Sequence, residues 1–273
     1  MNSNFIAYLN LLGIYKIEKP TYEFLKKIHK SHIETIAYSN LDFLFQIGVN
    51  FEIEAIITKF MTKHRSGICY ELNYAFSELL KYLGYEVRLV YANLPKTGHI
   101  IFQHSEIAHM VGLVYLNDTT YLIDVGFSHW FRHPIDLYHS NYQDISGHYR
   151  ITTSDNVKFC LESNVKNKYE FKYSFNLNNH FVKPKRLDYS LDEAMLYPNL
   201  YGEFRYSLPN SNGCKTILNT DFIETGIDGI KITTIDHKEA LLDILIHNME
   251  IEKSFAASLP QLGFDALFLS HTI

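Results

Sequence analysis

The hydrophobic period of this chain changes at Gly84, and no other feature constrains the fold as much. Up to that point apolar residues recur at helical spacing. Phe5, Tyr8, Leu9 and Leu12 share a face before Gly13 breaks the run. After Pro20, Thr21 is placed to cap a second helix whose face is Tyr22, Leu25, Ile28, Ile33 and Ile36. A third helix is expected over residues 51–61. A fourth starts around Cys69, carries Leu72, Phe76, Leu79, Leu80 and Leu83, and stops at Gly84. From Tyr85 the period is two. Val87, Leu89 and Tyr91 alternate, a Pro/Gly loop follows at Pro95-Lys96-Thr97-Gly98, and residues 109–116 and 120–125 read as strands around an Asn117-Asp118 turn. Residues 168–176 read as another strand. Residues 204–208 and 215–218 flank the turn Asn210-Ser211-Asn212-Gly213, 227–235 suits a strand and 238–248 a helix, while 261–273 carries no assignment. No repeat and no flexible linker is present, so the parts are expected to pack together.

Composition narrows the function classes. A net charge of −5 with no long basic run argues against a nucleic-acid footprint. No stretch approaches the roughly 18 apolar residues that span a bilayer, and the first residues lack a charged start followed by an apolar run. Three widely spaced cysteines, Cys69, Cys160 and Cys214, suit a reducing cytoplasm better than a disulfide framework. The 14 histidines are scattered, with no C-x-x-C or H-E-x-x-H pattern, so no metal site is expected.

Chemistry concentrates at Arg65-Ser66-Gly67-Ile68-Cys69-Tyr70-Glu71-Leu72-Asn73. This stretch ends a polar break and opens an apolar helix, so Cys69 sits near a helix start. There the unpaired N–H groups and the positive dipole end favour a thiolate. The alternative is a small buried core cysteine. The 109–125 hairpin supplies partners. With a two-residue turn at Asn117-Asp118, His109 faces Gly126 and Asp124 faces Val111, making His109 and Asp124 diagonal neighbours on one face. A shift by one opposed pair puts them directly across; a one-residue bulge sends them to opposite faces. A carboxylate beside an imidazole fixes its tautomer and leaves the other nitrogen to take a proton from a nucleophile. Competing histidines are His64, His99, His104, His129 and His133; none has an acidic partner so readily placed by a hairpin.

Thiolate formation alone is a weak reason for such a pair. A free thiol is only about 3% ionised at pH 7, and lowering its pKa to ~5.5 gains ~30-fold in thiolate. A Brønsted slope of ~0.45 gives back about twentyfold of that in nucleophilicity. A persistent Cys–His pair is more useful if the imidazole also manages protons for a second substrate.

These residues resemble the arylamine N-acetyltransferases. The family's R-G-G-x-C-F-E-x-N stands here as the 65–73 stretch, its T-H as Ala108-His109, its D-V-G-F-G as Asp124-Val125-Gly126-Phe127-Ser128, and its P-F-E-N-L-D as Ala37-Tyr38-Ser39-Asn40-Leu41-Asp42. The match covers most of residues 1–130 and is weaker over 204–222. The resemblance implies an α+β chain of three parts with a cysteine-protease-like Cys-His-Asp core. These are an N-terminal helical bundle (1–84) carrying the nucleophile, a central β-barrel (85–190) carrying His and Asp, and a C-terminal α/β lid (191–273). It implies a ping-pong transfer in which Cys69, helped by His109 and Asp124, takes an acetyl group from acetyl-CoA and passes it to an aromatic amine or hydrazine. Gly126 and Phe204 become candidates for the CoA site, and Tyr38, Tyr70 and Phe127 for the acceptor wall; core packing is the alternative for each aromatic. Other readings are a related acyltransferase or amide synthase with another acyl donor, a cysteine hydrolase or transglutaminase-like enzyme, and a non-catalytic relative. Among the departures from the family, Ala37, Ser39, Ser66 and Ser128 replace Pro, Glu, Gly and Gly. With Ser39 in place of the glutamate, Arg65 needs another carboxylate, and Asp42 and Glu71 are the candidates.

Overall fold

A computed structural model describes residues 2–63, 65–94, 109–127, 131–139, 141–179 and 203–268. The loop Pro95-Lys96-Thr97-Gly98, Ala108, Ser128 and the competing histidines His64, His99, His104 and His129 lie outside them. The N-terminal part is helical: α1 (Asn2–Leu11), α2 (Tyr22–Thr35), α3 (Leu41–Leu44), α4 (Ile53–Lys63) and α5 (Cys69–Tyr82), with a two-residue strand β1 (Tyr38–Ser39) between α2 and α3. The Thr21 side chain accepts from Phe24 N at 3.3 Å, the expected cap of α2. Gly13 and Gly84, which end α1 and α5, sit at φ of +70° and +90°, where a side chain would be strained. The apolar faces of these helices close one core around Leu25, Ile28, Phe60, Phe76 and Leu80.

Next comes an antiparallel eight-stranded sheet: β2 (Glu86–Asn93), β3 (His109–Leu116), β4 (Thr119–Ile123), β5 (Ile135–Asp136), β6 (Asn141–Asp144), β7 (Gly147–Thr153), β8 (Lys158–Val165) and β9 (Lys168–Asn176). Its order is β5-β4-β3-β2-β9-β8-β7-β6. The two edges approach where Arg132 N donates to Asp144 Oδ2 at 2.6 Å, so the sheet curls into a nearly closed barrel. Alternation sorts the residues of β2 and β3 between two cores. Leu89, Met110 and Val114 face the helices, whereas Val90, Val111 and Leu113 face the barrel interior with Leu161, Tyr173 and Phe175.

The β3–β4 hairpin has the register of a two-residue turn: Leu116 pairs with Thr119 and Gly112 with Ile123. Asn117 and Asp118 both take positive φ, 48° and 62°, the geometry that matches strand twist. The ladder stops at Ile123, two residues before the expected end, because the main chain of Asp124 and Val125 bonds to side chains instead.

The C-terminal part is a second sheet, of order β1-β10-β11-β12-β13, followed by three helices. Its strands are β10 (Arg205–Asn210), β11 (Gly213–Leu218), β12 (Asp221–Gly226) and β13 (Gly229–Thr234); the helices are α6 (Lys238–His247), α7 (Lys253–Ala257) and α8 (Gln261–Phe268). The expected turn narrows to Ser211-Asn212, since Asn210 pairs with Gly213. Strand β1 comes from the N-terminal part, and Ala37, Leu41 and Phe45 join the core of Phe204, Tyr206, Ile217, Leu241 and Phe264. Residues 37–45 thus stitch the first part of the chain to the last. Periodicity gives no expectation of β1, β5 to β8, β12, α3, α7 or α8, and the strand expected over 227–235 starts only at Gly229.

Candidate active site

Cys69 is the first residue of α5, behind an extended Ile68. Two backbone bonds brace the approach: Ser39 N donates to Gly67 O at 2.9 Å, and Gly67 N donates to Ala37 O at 3.2 Å. Glu71, in the first turn, accepts from Ile68 N at 3.1 Å. That satisfies one orphan donor of the helix start and fixes the entry of the chain at Cys69.

His109 opens β3 and Asp124 follows the end of β4, both fully buried on the barrel-facing side. The hairpin register brings them together: His109 Nε2 lies 2.7 Å from Asp124 Oδ2. The Cys69 sulfur is near enough to the same imidazole to favour its protonated form, so Asp124, His109 and Cys69 form one buried group. Burial disfavours charge on His109, but the Asp124 carboxylate and the Cys69 sulfur outweigh it and raise the imidazole to about 10. Burial likewise opposes ionisation of Asp124, yet His109, Asn73 and Gly126 N hold its carboxyl below the usual range. An imidazole gripped by a carboxylate beside a thiol can hold and return a proton during nucleophilic attack.

Asn73 fastens this arrangement and was not singled out from the sequence. Its Nδ2 donates to Asp124 Oδ1 at 2.9 Å and to Met110 O at 2.6 Å, while its Oδ1 accepts from Val125 N at 2.9 Å. Its place four residues after Cys69, on the same helix face, was a usable signal. Gly126 N also donates to Asp124 Oδ1, at 2.9 Å. A Cβ on Gly126 would fall 2.8 Å from the Cys69 Cα and Cβ, so the close approach it allows here is to the cysteine itself.

The remaining candidates divide. Tyr38 and Phe127 are beside the triad. Their rings stack at 5.5 Å and 10°, Phe127 meets the His109 ring edge-on at 4.7 Å, and burial followed by the nearby Cys69 pushes the Tyr38 phenol up. Tyr70 turns away to meet Phe51 edge-on in the helical core. Phe204 is buried in the C-terminal core. Tyr173, not anticipated, lies 5.5 Å from the His109 ring.

Arg65 finds its carboxylate in Asp42. Lys59 then bridges Asp42 and Glu71, 2.8 Å from each, so two cations and two carboxylates balance beneath the start of α5. Ser39 caps locally instead, its Oγ accepting from Leu41 N at 2.9 Å, and Ser66 is buried near the Tyr206 phenol. Among the described residues, no cluster of three or more His, Cys, Asp or Glu is placed to hold a metal ion.

Comparisons with known proteins identify relatives of the chain. A family model described as N-acetyltransferase matches residues 21–257. The chain is 32% identical over 123 residues to the pineal gland isozyme NAT-3 of arylamine N-acetyltransferase from Gallus gallus, covering 45% of this chain and 41% of that protein. It is 30% identical over 131 residues to the arylamine N-acetyltransferase / N-hydroxyarylamine O-acetyltransferase of Salmonella typhimurium, covering 46% and 44%. The match spans under half the length of each. The structure superposes on Mycobacterium marinum arylamine N-acetyltransferase in complex with CoA with a TM-score of 0.80 at 20% identity, over 96% of this chain and 99% of that one, a likeness of fold. With the family model matched over most of its length, the chain belongs to the arylamine N-acetyltransferase family.

Proposed function

We propose that this protein transfers an acetyl group from acetyl-CoA to the nitrogen of an arylamine or hydrazine through an acetyl-Cys69 thioester. The observation that carries the reading is the buried His109–Asp124 pair beside Cys69, which stands at the start of α5. In the first half-reaction the Cys69 sulfur attacks the thioester carbonyl and CoA departs as a thiol. In the second, the amine nitrogen attacks acetyl-Cys69, His109 accepts the amine proton, and the sulfur leaves. Exchange of one thioester for another is nearly balanced, whereas amide formation runs downhill. Asp124 holds the His109 tautomer and offsets the imidazolium charge.

Tyr38 and Phe127 form the acceptor wall in this reading, supported by their stacking beside His109. Gly126, by letting the hairpin pack against Cys69, helps hold the sulfur where the pantetheine arm of acetyl-CoA approaches. Phe204 is the candidate contact for CoA and Tyr70 a further member of the acceptor wall. The C-terminal sheet and helices serve as the lid, the barrel presents His109 and Asp124, and the Cys-His-Asp core works as in cysteine proteases. A dependence on a free Cys69 thiol fits a cytoplasmic location and small-molecule partners.

The test is intact-protein mass after brief mixing with acetyl-CoA and no acceptor, with peptide mapping. One acetyl group on Cys69, lost on adding an arylamine as the N-acetyl product forms, supports the reading. A folded protein with a free Cys69 that takes no acetyl group refutes it. An adduct from longer acyl-CoAs alone would then mark an acyltransferase with another donor.

A further inference from the structure

Asp124 is held by more than the groups on its carboxylate. Its backbone N–H donates to His29 Nε2 at 3.2 Å. His29 lies on α2, outside every motif at the site, and is fully buried. Its other nitrogen, Nδ1, faces the carbonyl oxygen of Arg132 at 2.8 Å. A carbonyl can only accept, so Nδ1 carries the proton and Nε2 presents the lone pair that Asp124 N–H needs. The Arg132 carbonyl therefore selects the one neutral tautomer able to grip Asp124. The ring lies parallel to Phe131 (5.8 Å, 7°) and edge-on to Phe76 (5.8 Å, 71°). Burial lowers its pKa to about 4, which keeps the ring neutral. The groups facing it are Asp124, Arg132, His133 and Asp144 from packed segments, and His32 on its own helix.

Arg132 is tied down in turn. Its backbone N–H donates to Asp144 on β6, and its guanidinium donates to Gly213 O at 2.9 Å in the β10–β11 hairpin. One short run of hydrogen bonds thus joins the C-terminal sheet, the barrel edge, α2 and the main chain of Asp124.

We infer that His29 is a positioning residue for the Cys69–His109–Asp124 set, fixing the main chain of Asp124 through a tautomer that Arg132 imposes. The inference rests on the triad reading above, and its test does not require acyl transfer. Iodoacetamide alkylates a thiolate: the sulfur attacks the methylene carbon and iodide leaves. The rate at Cys69 is read by peptide mapping at about pH 6 and about pH 9.5, with half-exposed Cys160 as internal reference. The ratio of the Cys69 rates at the two pH values in the native protein is the reference, since His109, held by Asp124, lies beside the sulfur. His29→Phe keeps an aromatic ring between Phe131 and Phe76 but removes the acceptor. The ratio of the two rates then falls about tenfold, the size of one lost hydrogen bond of ordinary strength. His29→Gln, which restores an acceptor, brings the ratio back to within about threefold.

A merely structural role lowers Tm in both variants and leaves the ratio unchanged, and that result overturns the inference. A native protein with no Cys69 alkylation at the lower pH removes the triad reading, and the role of His29 with it. If His29→Phe does not fold, imidazole 15N shifts of the native protein decide. A His29 ring protonated at Nδ1 and silent from about pH 5 to 8 supports the inference, and one protonated at Nε2 overturns it.

Discussion

Gly126→Ala isolates how closely the barrel hairpin and α5 meet. The added Cβ would lie 2.5 Å from Asn73 Nδ2 and 2.8 Å from the Cα and Cβ of Cys69, whereas ordinary contact begins at 3.4 Å. Relief needs a displacement of 0.6 Å from Cys69 and 0.9 Å from Asn73, the differences between those distances. Neither neighbour yields cheaply. Cys69 Cα is backbone at a helix start, and Asn73 Nδ2 already donates to Asp124 and to Met110 O. Overpacking of this kind costs about 1–3 kcal/mol. At roughly 2–4 °C per kcal/mol in a chain of this size, Tm should drop by about 2–12 °C. A misplacement approaching 1 Å at a reacting atom costs about a hundredfold in rate. The expected variant is therefore folded, with a modest loss of Tm and about a hundredfold slower acetylation of Cys69. Calorimetry and rapid-quench intact mass measure the two. Native-like acetylation together with a native Tm would refute the closeness of packing argued here.

Three further outcomes follow from the same geometry. Asp124→Asn should slow acetyl transfer by about three to four orders of magnitude, because the amide can favour the wrong imidazole tautomer; single-turnover kinetics would show it, and a mild effect would place the orienting group elsewhere. Lys59→Met leaves Asp42 and Glu71 with Arg65 as their cation and should cost about 3–5 kcal/mol in denaturant unfolding; a loss below about 1 kcal/mol would mean that the buried charges are not balanced as described. Stability should peak near neutral pH. His29 and His32 are buried neutral, lowered to about 4 and about 3, so the unfolded chain binds more protons below about pH 6.5, and each costs up to about 1.4 kcal/mol per pH unit on acidification. His109 is raised to about 10, so its contribution is complete below about pH 6.5 and disappears as pH rises through 10. Tm measured from about pH 4 to 10 would show both limbs, and a flat acid limb would contradict the burial of the two histidines.

The sequence carried the active geometry wherever one local rule acted alone. Asn117-Asp118 between two alternating runs fixed the hairpin register, and the register brought His109 to Asp124. The polar break before Leu72 placed Cys69 at the start of α5. Illegible features depend on partners far apart in the chain. Strand β8 (KFCLESNV) buries Phe159, Leu161 and Ser163 on one face, and a serine at a buried position hides the period of two. The place of Phe204 in one core with Ala37, Leu41 and Leu241 joins residues far apart in the chain, which no local pattern shows. His29 gave no signal, since its partners are a backbone amide 95 residues away and a carbonyl 103 away. The ion pairs at Arg65 could be narrowed to Asp42 or Glu71, but the part of Lys59 depends on how α4 lies against α5.

The location of the site follows from the same division. Cys69 belongs to the helical core, whereas His109 and Asp124 point to the barrel side of a strand pair whose other face covers α5. Neither part alone holds all three groups. They meet because Asn73 reaches from α5 to the main chain at Met110 and Val125, and because Gly126 has no side chain to keep Cys69 away. Residues 37–45 bring the C-terminal sheet to the same place, with Tyr38 on the bridge between Gly67 and β10. A nucleophile assembled across docked parts is active only when the parts are seated. Substitutions that loosen the seating without touching Cys69, His109 or Asp124 should then lose acetylation before they lose the fold.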